Sequence, residues 1–510
     1  MKILIAALHN GYYRNIESMV DELAARGHQL YLGAERHESA LGGASIVQRL
    51  GAAHSHVSYG RVPTREQKTR FLATKVRLTL DYLRYLEPQY EGTPALRQRA
   101  EVRTPSGFIT LAEHGLLRSP RARRLLASAL HAIDRSVPAS PDIERFLDAQ
   151  APDAVVITPL IGLVPSSQLD LLRSARARGI PTAVCVWSWD HLSSKAIIRD
   201  MPDRLFVWND VQRREATEMH GVPAERVVVT GAQSFDRWFD QRPSRSRADF
   251  THRVGLPDGR PVVLWVCSAL FPGSPSEAQF VLRWAAALRN SSDPSLRDAA
   301  ILVRPHPSRK REWDEVDWRS VPDLALWGDN PIDTESRADY FDSLHYSAAV
   351  VGLNTSAFIE AGIVGSPVLA ILPDEFRPNQ EGTLHFRYLV EGGLLTISRS
   401  LAEHCGQLAS ILGGNTQEIL RRQREFVHTF VRPLGLDMSA TCLLADAVEA
   451  LGTVRPQHAV SAPATVARFG FITLRTLARI PRGRKLLLNK REIEGKLRRA
   501  DSEGREVSWL

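Results

Sequence analysis

The sequence predicts an α/β fold built from two doubly wound, Rossmann-like halves, on three observations. Its 510 residues exceed what one hydrophobic core supports and fit two ordinary domains with additional segments. The chain opens on an apolar strand, a glycine turn and an amphipathic helix, the βαβ start of a parallel sheet. After a polar, proline-containing stretch at 242–253, which reads as a linker, a second series of alternating strands and helices begins. Two domains imply a cleft. The hydrophobic share of 44% and charged share of 24% are those of a globular protein, so neither wholesale disorder nor a membrane bundle is expected.

The first strand, 1–8, stops at His9-Asn10-Gly11, too early for a signal-peptide core with a cleavage site. Ile16, Met19, Val20, Leu23 and Ala24 then recur at spacings that place one apolar stripe on a helix. A strand resumes at 29–33. The stretch at about 61–150 is helical, arginine-rich and punctuated by prolines, and reads as a helical insertion. Strands at 153–158, 181–187, 204–208 and 226–230 alternate with helices at 168–178 and 211–220, the pattern of a parallel sheet covered by helices. This first domain spans 1–241. A second, 254–452, carries strands at 262–267, 300–304, 324–327, 348–353 and 367–372. Its last helices, 417–430 and 439–451, close it or cross back to the first. Residues 453–510 form a basic helical tail.

The net charge of +8 is uneven, with basic side chains crowded at 61–124 and 475–499. Such clusters suit nucleic acid, anionic lipid or phosphorylated substrates, and either one alone reads as a solvated helix face. With no zinc-finger or RNP-like motif, no nucleic-acid partner is expected. The tail is expected to meet an anionic membrane surface. Cys185, Cys267, Cys405 and Cys442 lack metal-ligand or redox spacing. No apolar run approaches the roughly 18 residues of a membrane-spanning helix, so a cytoplasmic location, peripheral at the inner membrane face, is expected. A short echo, Gly107-Phe108-Ile109-Thr110-Leu111 and Gly470-Phe471-Ile472-Thr473-Leu474, reads as two basic amphipathic hairpins serving one surface.

The sharpest chemical signal is Val303-Arg304-Pro305-His306-Pro307. Proline cannot continue a central ladder, so the strand stops at Arg304 and holds His306 in a stiff loop at the carboxyl edge of the sheet, where open α/β sheets bind ligands. There, His306 and Arg304 can donate hydrogen bonds to phosphate oxygens as a leaving nucleotide gains charge. The alternative is a structural turn in which His306 caps a helix. A second signal is Asn354-Thr355-Ser356 at a helix start, whose hydroxyls and exposed amides suit phosphate. Glu360 stands alone as the charged residue of 347–372, so it needs a partner. A ribose hydroxyl or a nearby arginine would serve. In the first half, Trp189-Asp190-His191 with Lys195 crowd one strand end, as expected of a polar acceptor site, with Asp190 or His191 as general base. His9, Asn10 and Gly11 lie at the same edge but form no GxGxxG fingerprint.

The RPHP strand end and the Asn354-Thr355-Ser356 helix start with Glu360 resemble the second domain of GT-B glycosyltransferase-fold proteins. The similar branches are the CDP-glycerol glycerophosphotransferases, the HP-motif capsule Kdo transferases and UDP-N-acetylglucosamine 2-epimerase-like enzymes. The resemblance implies a GT-B-like fold, two Rossmann-like domains facing across a cleft, with His306 at the donor phosphates and Glu360 at the nucleotide sugar. It also implies metal-independent glycosyl transfer from a nucleotide-sugar donor to a glycan or lipid-linked acceptor, with no cofactor; no DxD-like pair stands at a strand end. Glu381, Gly382 and Thr383, following a strand, are by position a second wall of the donor pocket. Transfer of a polyol phosphate from a CDP-polyol, or binding of a nucleotide sugar without turnover, remain open alternatives.

Overall fold

The computed structural model describes residues 1–36, 43–113, 115, 119–162, 166–456 and 465–503. Parts of the expected tail, 457–464 and 504–510, lie outside the described residues. The chain forms two compact units, one of Met1–Thr230 with Cys442–Leu510 and one of Gly231–Thr441. These divisions differ from the sequence boundaries at 241/254 and 452.

The first unit holds a seven-stranded sheet of β1 (Lys2–His9), β2 (Gln29–Arg36), β3 (Val57–Arg61), β4 (Ala154–Thr158), β5 (Thr182–Cys185), β6 (Arg204–Val207) and β7 (Val227–Val229). Their order is β3-β2-β1-β4-β5-β6-β7, parallel throughout. Strand β1 is apolar without alternation because both its faces are covered. Ile3, Ile5 and Ala7 enter one core, and Leu4 and Ala6 the other. The order reverses between β1 and β4, the position at which doubly wound sheets open a ligand crevice.

The helix Ala440–Ala450 crosses back and fills the first of these cores with Leu444, Ala445 and Val448, followed by Leu451. It is fixed by Arg26, which donates to Asp446 at 2.6 Å and Glu449 at 2.8 Å. Within 61–150 lie the helices Gln67–Arg84, Pro94–Glu101, Ser106–Glu113, Pro120–Arg135 and Pro141–Gln150. The helices Gln67–Arg84 and Pro120–Arg135 are anchored to the helix Gln168–Ala177 by a buried ion cluster: Arg77 bonds Asp134 at 2.8 Å and Asp170 at 2.7 Å, and Arg173 bonds Asp134 at 2.6 Å. The C-terminal helices Thr465–Leu477 and Pro481–Leu487 pack on Pro120–Arg135 and Ser106–Glu113, respectively, so the two echoed segments belong to one helical layer. Phe471 and Leu487 are buried there with Leu72 and Ala73.

The second unit holds β8 (Val262–Val266), β9 (Ala300–Arg304), β10 (Leu324–Leu326), β11 (Ser347–Gly352), β12 (Val368–Ile371) and β13 (Thr396–Ser398), in the order β10-β9-β8-β11-β12-β13 and again parallel. Here the order reverses between β8 and β11. The stretch read as a linker contains a helix, Arg247–Val254, that belongs to this unit. Ser246 caps it by accepting the Asp249 amide, and Phe250 and Val254, one turn apart, are buried.

Candidate functional site

In the second unit, the loops after β8, β9, β11 and β12 gather at the carboxyl edge. Proline ends β9 as its sequence requires, leaving Arg304 as the last strand residue and His306 at the start of a 3-10 turn, Pro307–Trp313. His306 does cap this turn: Nδ1 accepts the Ser308 amide at 3.2 Å and lies 2.8 Å from the Ser308 hydroxyl. That contact fixes the neutral ring with its proton on Nε2, a donor of the kind a phosphate oxygen accepts. The capping and donor roles therefore use different nitrogens.

Arg304 was expected to touch phosphate directly. Instead it is buried, donating to the Ser343 hydroxyl at 3.0 Å and the Asp329 carbonyl at 3.3 Å, with its guanidinium 4.8 Å from the Tyr340 ring centre. Gly328, with φ of 105°, makes room for it, since a Cβ there would overlap the guanidinium. Tyr340 donates its hydroxyl to Glu360 Oε2. Burial pushes the Tyr340 hydroxyl well above its ordinary pKa, and the Glu360 charge adds to this. A chain of contacts thus runs from the β9 end, through Arg304 and Tyr340, to the half-buried Glu360 in the first turn of the helix Ala357–Val364. Tyr340 is thus one partner of Glu360, and no sequence signal marked it.

At the start of that helix the Phe358 and Ile359 amides turn back to the Thr355 carbonyl at 3.3 Å and the Ser356 carbonyl at 3.0 Å. Ser356 makes no side-chain cap, and Thr355 Oγ1 accepts only a long bond, 3.3 Å, from the Ala357 amide. Asn354 ties three loops together: its amide donates to Ser268 Oγ after β8 at 3.1 Å, and Nδ2 donates to the Asn379 carbonyl after β12 at 2.5 Å. Its buried Oδ1 has no partner among the described residues. Beneath Ser268, the buried Glu277 accepts the Ser268 amide at 2.8 Å and Trp265 Nε1 at 3.1 Å, and burial pushes its carboxyl up to about 8.

The expected second wall is differently employed. Glu381 is paired with Arg399 at 2.6 Å, the Gly382 amide donates to the Arg377 carbonyl at 2.8 Å, and the buried Thr383 donates to the Gln380 carbonyl at 2.8 Å. These residues close their own turn. The polar group that reaches the strand ends from this loop is Gln380, whose Nε2 donates to the Leu353 and Ile371 carbonyls.

In the first unit, the acceptor-side residues gather at the β1/β4 reversal and the end of β5. His9 lies 4.3 Å from Tyr12 between ring centres, Tyr12 meets Trp187 edge-on at 5.0 Å, and Trp187 lies 6.0 Å from His191. Asn10 and Gly11 are buried in the 3-10 turn Asn10–Asn15, and Trp189 is buried. His191 is sealed: it has no exposed surface, its Nε2 donates to the Ile161 carbonyl at 2.9 Å, and burial lowers its pKa to about 4. Asp190 is the member of the pair with accessible surface, 19% of its side chain. Its carboxylate accepts from Ser188 at 2.6 Å, Ser194 at 3.0 Å and Lys195 at 2.6 Å. Burial, then the charge of Arg36, lowers His9 to about 4 as well, so both histidines are neutral at pH 7.

Among the described residues, no three His, Cys, Asp or Glu side chains form a metal-ligand set, and no helix is long and apolar enough to cross a membrane.

No family model matches the chain, and no curated protein matches it by sequence. Solved structures do match in fold. The Staphylococcus aureus MnaA–UDP structure aligns over 90% of this chain and 100% of its own, with a TM-score of 0.51 at 12% identity. A UDP-GlcNAc 2-epimerase from Neisseria meningitidis bound to UDP-GlcNAc covers 88% and 100%, with a TM-score of 0.50 at 11% identity. A glycosyltransferase from Rickettsia africae covers 88% and 98%, with a TM-score of 0.50 at 9% identity. The fold of this chain is that of GT-B proteins, with two Rossmann-like domains.

Proposed function

We propose that the protein is a glycosyltransferase that moves a sugar from a nucleotide-activated donor, held by the second unit, to a cell-surface glycan or a lipid-linked acceptor. The observation that carries this reading is the Arg304–Tyr340–Glu360 chain, which links the end of β9, next to His306 in sequence, through the helix Thr334–His345 to the helix that follows Thr355-Ser356 after β11, on either side of the β8/β11 reversal. Two fold neighbours were solved with UDP or UDP-GlcNAc, which supports a nucleotide-sugar donor.

In the proposed reaction, the bond from the sugar's anomeric carbon to the donor phosphate breaks, and charge develops on the departing diphosphate. His306 Nε2–H and the Thr355 and Ser356 amides stabilise that charge. Glu360, aimed by Tyr340, accepts hydroxyls of the donor, with Arg304 positioning Tyr340. Asp190 takes the proton of the acceptor hydroxyl as its oxygen bonds to the anomeric carbon.

Calorimetric titration of UDP, CDP, GDP and CMP, followed by turnover of the matching nucleotide sugars, tests this reading. Wild type should bind a nucleoside diphosphate and consume its sugar adduct. His306→Ala should lower turnover by about 10²–10³-fold, and Glu360→Ala should weaken nucleotide-sugar binding at least about tenfold. Binding without consumption would make the chain a nucleotide-sugar binding protein. Conversion of UDP-GlcNAc into its epimer would make it an epimerase, and cleavage of a CDP-polyol would make it a polyol-phosphate transferase. Each of these outcomes would overturn the proposal.

A further inference from the structure

The transfer chemistry leaves the two basic clusters unused, yet part of each lines one pocket of the first unit. It measures about 530 Å³, within the range of small-molecule sites. Arg36 at the end of β2, Arg61 at the end of β3, Arg70 and Lys75 on the helix Gln67–Arg84, and Arg484 on the helix Pro481–Leu487 line it, against two carboxylates, Glu35 and Glu492.

Neither acid neutralises the pocket. Glu492 is engaged by Lys75 at 2.5 Å. Glu35 is buried with its carboxylate on the Ser167 amide at 2.7 Å, and burial pushes it up to about 7, so near neutral pH much of it is uncharged. Among the described residues, Arg61, Arg70 and Arg484 make no ion pair. Arg484 is instead laid over the Phe71 ring at 3.5 Å, with a buried Nε that has no hydrogen-bond partner among the described residues. Lys75 is held below its ordinary pKa by burial, against the pull of Glu492, and Arg484 adds to that depression. The site is therefore concave, cationic and short of anions. Planar guanidinium forks on such a wall match phosphate oxygens, and the low-dielectric surroundings focus the field onto them. Arg36 also pairs in register with His9 across β1 and β2, so the pocket adjoins the edge that carries the Tyr12–Trp187 cluster.

We infer that this pocket binds the phosphate or diphosphate group of an acceptor, a phosphate ester distinct from the nucleotide donor. That the ligand is an acceptor rests on the transferase reading; that it is a phosphate ester rests on the pocket alone.

The test is titration of inorganic pyrophosphate, with UDP at saturation, into wild type, Arg61→Ala, Arg484→Ala and His306→Ala proteins of matched melting temperature. Binding should persist in His306→Ala and weaken about tenfold or more in each arginine variant. UDP affinity should be unchanged by both arginine variants. Pyrophosphate binding that is absent from wild type, or equal in wild type and both arginine variants, would overturn the inference while leaving the donor site standing. Retained pyrophosphate binding in a protein that binds no nucleotide would instead fail the transferase reading and leave the pocket intact. Co-sedimentation with phosphatidylcholine vesicles containing phosphatidic acid separates the sources. Loss in the arginine variants identifies a lipid-borne phosphate, and unchanged sedimentation with lost pyrophosphate binding identifies a soluble ester.

Discussion

Asp134 has no exposed surface, and burial alone would raise its pKa. Arg77, Arg173 and Arg199 outweigh burial and hold the carboxyl well below the usual carboxylate range. A carboxyl depressed on folding contributes stability above its unfolded pKa of about 3.9, and that contribution is lost as pH falls toward the folded value. We therefore expect urea midpoints to drop on acidification below about pH 4. Asp134→Ala, which leaves Arg77 with Asp170 and Arg173 with Asp200 but removes the carboxylate the two guanidiniums share, should cost about 1.5–3 kcal/mol at neutral pH. An acid-insensitive midpoint, or an Asp134→Ala protein as stable as wild type, would refute this assignment. The cluster was not legible in the sequence: Arg77 sits among basic neighbours that read as a solvated face, and its partners Asp134 and Asp170 are far away along the chain. Tyr340 was hidden for the same reason. Arg304 and His306 were legible because the flanking prolines dictate a strand end whatever the tertiary context.

At the scale of elements, buried parallel strands announced themselves as unbroken apolar runs, which is why β1, β4, β8, β9 and β11 could be placed. Strand β3, with three exposed residues of five, and β13, three residues with one buried, carry no such run and were missed. The Arg247–Val254 helix was masked by its charges, although Phe250 and Val254 held the one-turn spacing that betrays it. The packed helices Pro120–Arg135 and Thr465–Leu477 carry large apolar side chains in water: Leu125 is 73% exposed, Phe469 67% and Ile472 56%. Exposed Arg468, Arg475 and Arg479 accompany them. An apolar face with a basic border suits an anionic bilayer. Wild type should co-sediment with anionic vesicles, less so at high salt, and Phe469→Glu with Ile472→Glu should lose most of that binding. Equal sedimentation of the double variant would remove the membrane from this surface.

For the whole molecule, the segment after Thr441 is a component of the first unit. Leu444, Val448 and Leu451 have no exposed surface and sit against β1. Removing them exposes apolar area worth about 5–9 kcal/mol, comparable to the roughly 5–15 kcal/mol that stabilises a domain. A chain ending at 441 should lose the cooperative unfolding of the first unit while the second still melts as one transition; two intact transitions in calorimetry would contradict this. The same discontinuity imposes an order on biosynthesis. A ribosome adding about 5–20 residues per second needs roughly 10–40 s to travel from the end of β7 to Leu451. Throughout that interval the nascent seven-stranded sheet waits with one oily face only partly covered, by Met19, Val20, Leu23, Ile46, Val47 and Leu50, and the inner unit is finished before the outer one can be sealed. Expression yield should therefore respond to chaperone supply and translation speed more than the stability of the finished protein would suggest.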